Sequence, residues 1–191
     1  MTMVLTKRGI IYFVLIDILL LGTAVSVLLF RPHPAALGLE GFGSGKMRLS
    51  SPAFAPNGPI PAKYTCQGEN ISPPLEADGV PDGTKSLALV VDDADAPLGT
   101  WTHWLVWNIA PRAAFPEGSA PAGAVEGTTS FGKTGYGGPC PPVGAHRYFF
   151  KLYALDSTLS LPPAADARGL EAAMEGKIID TAGLMGTYRK K

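Results

Sequence analysis

Two short segments hold most of the residues that could do chemistry. Asp92-Asp93-Ala94-Asp95-Ala96-Pro97 is followed by Trp101-Thr102-His103-Trp104, and Gly137-Gly138-Pro139-Cys140-Pro141-Pro142 by Gly144-Ala145-His146-Arg147-Tyr148. Each sets carboxylates or a histidine on a Pro/Gly-stiffened loop beside an apolar run. A carboxylate next to an imidazole fixes its tautomer and favours its charged form. Two such histidines, His103 and His146, would offer N–H donors to one anion such as a phosphate. The surrounding prolines would stiffen the pocket and wall it without adding donors. A hydrolase would need a nucleophile in reach as well, and no Gly-x-Ser-x-Gly element supplies one. A metal centre lacks the tight His-x-His or Cys-x-x-Cys spacing that would support it. The expectation is a polar pocket without metal or cofactor.

The elements that must position these groups are strands. Ser86–Val91 is a short apolar, branched run that suits a buried central strand. His103–Ile109 and His146–Leu155 read as two more. If the strand ending at Val91 and the strand starting at His103 are antiparallel neighbours, Asp93, Asp95 and His103 meet at one sheet edge. The period-two rule places His103, Leu105 and Trp107 on one face, and puts Tyr148 on the same side of its strand as His146. Trp101, Trp104 and Trp107 read as packing. One helix is expected near Asp166–Glu175, where Leu170, Ala173 and Met174 share a face. Leu184–Tyr188 reads as a closing strand.

Composition agrees with many turns and short strands: 23 Gly and 18 Pro accompany 46% apolar and 17% charged residues. Sixteen basic and sixteen acidic residues cancel, and without a basic stripe no nucleic-acid partner is expected. The N-terminus is a separate unit. Lys7 and Arg8 precede an apolar run from Gly9 to Phe30, interrupted only by Asp17. That run is long enough for a bilayer core of about 30 Å. Residues 1–36 therefore read as an uncleaved signal anchor crossing the membrane through residues 9–30, with a cleaved signal and a secreted domain as the alternative. Residues 37–46 read as a flexible tether, and residues 47–191 as one domain outside the cytoplasm, on the periplasmic or extracellular side.

The ordered motifs have a known counterpart. Ile60-Pro61-Ala62-Lys63-Tyr64-Thr65-Cys66, Asn70-Ile71-Ser72-Pro73-Pro74-Leu75, Lys85-Ser86-Leu87-Ala88-Leu89, the Asp-rich loop, Tyr136–Pro142 and His146-Arg147-Tyr148 follow one another in register. Across roughly Leu49 to Tyr188 the chain resembles the phosphatidylethanolamine-binding proteins, in particular their bacterial Raf kinase inhibitor-like branch of the YbhB/YbcL type. The resemblance implies a mainly β fold of two packed, antiparallel-rich sheets with one or two short helices, here preceded by one transmembrane helix. It implies an anion pocket lined by Asp93, His103, His146 and Tyr148, with Pro141 and Pro142 nearby. Asp95, Pro97 and Arg147 take supporting roles, Asp95 and Arg147 as a pair tying two loops. The family's Asp-Pro-Asp-Ala-Pro stands here as Asp93-Ala94-Asp95-Ala96-Pro97, and family members imply a cis bond before Pro97. Cys66 and Cys140 both lie in family motifs. Outside the cytoplasm they are candidates for a disulfide, with two separate buried thiols as the alternative.

Three functions follow from these residues. The first is a non-catalytic binding module for phosphate-bearing or similar small anions, resembling phospholipid headgroups. The second is an inhibitor acting on a kinase or protease partner, as some relatives do. The third is a hydrolase using the His/Asp cluster.

Overall fold

The computed structural model describes Gly43 and residues 45–191. The anchor expected over residues 1–36 lies outside the described residues. Among the described residues no helix is long and apolar enough to cross a membrane. The described end of the expected tether is held to the domain: the Gly43 N–H donates to the Thr181 carbonyl, and the Lys46 and Met47 N–H groups donate to the Asp180 carboxylate.

The domain is mainly β. Strands β1 (Arg48–Ser50) and β2 (Glu76–Asp78) form a small antiparallel sheet. A second, five-stranded sheet contains β3 (Ser86–Asp93), β4 (Trp101–Ile109), β5 (Val125–Glu126), β6 (Ala145–Leu155) and β7 (Ile178–Arg189), in the order β5-β4-β3-β6-β7. All its pairings are antiparallel. One helix, α1 (Ala167–Met174), and a single 3-10 turn at Ala62–Tyr64 complete the described elements. The continuous apolar run of β3 is explained by its position: it lies between β4 and β6, and all eight of its residues are buried.

The large sheet has a core on each face. On one side Leu87, Leu89, Val91, Trp104, Val106, Phe150 and Leu152 pack with Leu49 of the small sheet and with Phe54 and Ile60 of the N-terminal loops. On the other side Ala88, Val90, Leu105 and Trp107 pack beneath Leu170 and Met174 of α1. The helix begins where its sequence predicts. The Asp166 carboxylate accepts the Gly169 N–H at 2.9 Å, satisfying one of the free donors of the first turn. Asp166→Ala is expected to lower stability by about 1 kcal/mol. A thermal melt checks this, with a fall of roughly 2–4 °C expected and an unchanged midpoint counting against the cap.

Alternation breaks in β4. Val91 pairs with Trp104 but Asp92 pairs with Thr102, so one extra residue is inserted at His103. Such a bulge re-aims the side chains that follow it. His103 therefore does not share a face with Leu105 and Trp107, as strict alternation predicts. Those two lie under the helix, whereas His103 stacks edge-on against Tyr148 on the opposite face, ring centroids 5.2 Å apart.

Candidate functional site

The carboxyl end of β3 and the amino ends of β4 and β6 meet at one end of the large sheet, because Asp93 is paired with Trp101 on one side and Tyr148 on the other. Asp93, His103 and His146 are thereby brought together from three strands, all buried. They line a cavity of about 220 Å³ with Trp101, Phe131, Cys140, Pro97, Pro142 and Ala96.

The hydrogen bonds fix the orientation of each group. Asp93 Oδ1 accepts the Asp95 N–H at 2.9 Å, and Oδ2 accepts His146 Nδ1–H at 2.7 Å. His103 Nδ1–H donates to the Gly137 carbonyl at 2.5 Å, while the Gly137 N–H returns a bond to the His103 carbonyl at 2.9 Å. Each imidazole thus has Nδ1 engaged by a neighbour, leaving Nε2 for whatever enters the cavity. Burial pushes the His103 imidazole below the ordinary histidine value, against the Gly137 carbonyl and the Asp93 charge, which favour its protonated form. Tyr148 does not line the cavity. Its ring meets the His103 ring edge-on, and its buried hydroxyl closes no hydrogen bond of good geometry. Burial, and then the charge of Asp93, push that phenol upward.

Two loops carry the walls. In the first, Gly99 N–H closes a turn onto the Ala96 carbonyl, with Pro97 at its second position. That position suits a trans proline, whose fixed φ presets the turn. No cis peptide bond is present among the described residues, so the bond before Pro97 is trans, contrary to expectation. Asp95 pairs with Arg147, which reaches it through Nε at 2.8 Å, Nη2 at 2.5 Å and the backbone N–H at 2.9 Å. That pairing, led by the side-chain bond, holds the Asp95 carboxyl below its usual range. Both residues are partly exposed, so the pair orients the loops more than it stabilises them.

The second loop, residues 136–142, is docked on residues 64–70. The Tyr136 hydroxyl donates to the Tyr64 carbonyl, the Gly138 N–H to Asn70 Oδ1 and the Cys66 N–H to the Pro139 carbonyl. A Cβ at Gly138 would come within 2.5 Å of the Tyr64 carbonyl oxygen, so only glycine allows this approach. Cys66 and Cys140 are joined by a disulfide with Cα atoms 5.5 Å apart. Pro142 lines the cavity, and Pro141 lies buried behind it.

Sequence reasoning missed Phe131 and the cavity role of Trp101. The two rings meet edge-on at 5.5 Å, and Phe131 also meets His103 at 5.3 Å. Trp104 and Trp107 are core residues, as read. The Gly137 carbonyl was also missed, since a backbone acceptor has no residue-type signature. Among the described residues no group of three or more His, Cys, Asp or Glu side chains is placed to hold a metal ion. The cavity wall offers no Ser, Thr or free Cys as a nucleophile.

Comparisons with known proteins show a likeness over the same domain. The sequence profile of the phosphatidylethanolamine-binding proteins matches residues 50–189. A UPF0098 protein of Methanothermobacter thermautotrophicus is 51% identical over 150 residues, covering 75% of this chain and 99% of that protein. A UPF0098 protein of Pyrococcus horikoshii is 48% identical over 165 residues, covering 81% and 83%. Among solved structures, the phosphatidylethanolamine-binding protein homologue CT736 from Chlamydia trachomatis superimposes with a TM-score of 0.74 at 47% identity, covering 78% of this chain and all of the other. YbcL of E. coli gives 0.71 at 32% identity, covering 77% and 100%.

Proposed function

The chain belongs to the phosphatidylethanolamine-binding protein family, and from that premise we propose that its domain is a non-catalytic binding module for a small phosphate-bearing anion. The observation that carries this reading is the convergence of Asp93, His103 and His146 on one cavity, with both Nδ1 atoms tied down. The cavity volume of about 220 Å³ is below that of pockets which enclose drug-sized ligands. It suits a phosphate or phosphoethanolamine group, not a whole lipid. The disulfide supports placing the domain outside the cytoplasm, which accords with the anchor read from residues 9–30.

The test is a titration of the purified chain in neutral detergent with phosphate and with phosphoethanolamine, followed by NMR. Saturable shifts at His103, His146 and Asp93 are expected, and their loss in a His103→Ala/His146→Ala double variant. No saturable shift up to millimolar ligand would remove the binding-module reading.

A second reading has one observation in its favour. Leu98 and Val143 are 99% and 81% exposed, each next in sequence to a proline that lines the cavity. Apolar tips on both framing loops suit a protein partner, as an inhibitor of a kinase or protease would require. Leu98→Ser/Val143→Ser separates the two readings: anion binding persists, while contact with a protein partner is lost.

A further inference from the structure

We propose that the cavity selects ligands whose phosphate still carries an acid proton, inorganic phosphate or a phosphomonoester, over phosphodiesters and sulfate. This rests on the anion-binding reading above and narrows its ligand class. The Gly137 carbonyl can only accept, so His103 carries its proton on Nδ1. Its Nε2 is then a lone pair on the ring edge away from the Gly137 carbonyl, in a residue that lines the cavity. The Asp93 carboxylate likewise accepts from His146 Nδ1 and from the Asp95 N–H, which uses both of its oxygens.

A fully ionised oxyanion brings only acceptors. Against His103 it meets another acceptor, and the prolines of the wall do not offset this. Pro97 and Pro142 have no N–H, and Arg147, the nearby cation, is committed to Asp95. A P–OH group corrects the mismatch by donating to His103 Nε2. The contact at His103 then pairs one donor with one acceptor. Sulfate and phosphodiesters carry no such hydrogen near neutral pH, whereas a phosphomonoester exchanges its second proton near pH 6.

The groups that bear on these protons are few. Asp93 on β3 and His146 and Tyr148 on β6 face His103. Asp93, the Asp95–Arg147 pair and Tyr188, opposite His146 on β7, surround His146. Burial of His103 favours its neutral ring, which keeps the lone pair available.

The test is calorimetric titration of the purified full chain in neutral detergent near pH 7, with inorganic phosphate, O-phosphoethanolamine, glycerophosphoethanolamine, dimethyl phosphate and sulfate. Phosphate and O-phosphoethanolamine are expected to bind at least about tenfold more tightly than the other three, the cost of facing an unpaired acceptor. Their affinity is expected to fall from about pH 6 to about pH 8 as the ligand loses its proton. Equal affinity for sulfate, dimethyl phosphate or glycerophosphoethanolamine would overturn the inference while leaving an anion pocket intact. Binding of none of the five would overturn the anion-pocket reading and this inference with it. His103→Gln places an amide donor beside the ligand and is expected to bring the phosphate-to-sulfate ratio close to one. An unchanged ratio in a folded variant would also overturn the inference. The wild-type comparison stands if that variant does not fold.

Discussion

Replacing Asp93 with alanine is expected to lower the stability of the domain by roughly 2–4 kcal/mol and to abolish phosphate binding. The side chain is buried and serves two donors at once: the His146 ring and the Asp95 backbone. Alanine leaves both without a partner, and each stranded buried donor costs about 1–3 kcal/mol. In a domain of this size the melting midpoint should fall by roughly 5–15 °C. Binding suffers for a separate reason, since His146 loses the contact that sets its tautomer and aim. Asp93→Asn separates the two effects. Its amide oxygen can still accept the Asp95 N–H, but its amino group then faces His146 Nδ1 and moves the ring proton to Nε2. Nitrogen-15 chemical shifts of His146 report that exchange. A midpoint for Asp93→Ala within about 1 °C of the parent would show that Asp93 does not hold the site together.

Removal of the Cys66–Cys140 bridge is expected to have an effect of similar size. The two cysteines are 74 residues apart. Releasing a loop of that length returns configurational freedom to the unfolded chain, for a cost of about 2–4 kcal/mol. The paired variant Cys66→Ala/Cys140→Ala avoids leaving a lone thiol. Its denaturation curve should match that of the parent after reduction. The bridge should also matter to the cavity, because Cys140 lies in its wall and the same loop carries the Gly137 carbonyl that orients His103. A weaker phosphate affinity is therefore expected alongside the lost stability. Unchanged stability would mean that the Gly138 and Cys66 backbone hydrogen bonds hold this loop unaided.

The strands and the helix were legible because their signals are local. An apolar run such as Ser86–Val91 declares a buried strand, and Asp166 ahead of Leu170 and Met174 declares a capped, one-sided helix. The meeting of Asp93 with His146 was legible too, since both stand at strand ends. Side-chain direction at His103 was not. Strict alternation assumes an unbroken ladder, and an inserted residue becomes visible only once the partner strand is known. Tyr148 does share the His146 side of β6, as alternation predicts, but two residues along the strand it packs edge-on against the His103 ring instead of lining the cavity. Pro97 kept the trans bond because the turn from Ala96 to Gly99 needs a preset φ at its second position. Phe131 reaches the cavity from a loop with no periodic pattern.

Asp92 and Asp93 are neighbours on one strand but serve opposite faces of the sheet. Asp93 meets His146, while Asp92 is buried toward the helix side and takes Lys151 Nζ at 2.9 Å, its other oxygen unpartnered. Burial raises the Asp92 carboxyl, against the pull of Lys151. A slip of β3 by one residue would exchange the two faces. Asp92 would enter the side occupied by Tyr148 and Phe150, and Asp93 would leave His146. Both would become buried charges without their partners, at several kcal/mol each. The dipeptide thus works as a parity check on assembly: a misaligned sheet cannot hide its error, because the same slip that disarms the cavity also makes the misaligned form too costly to persist.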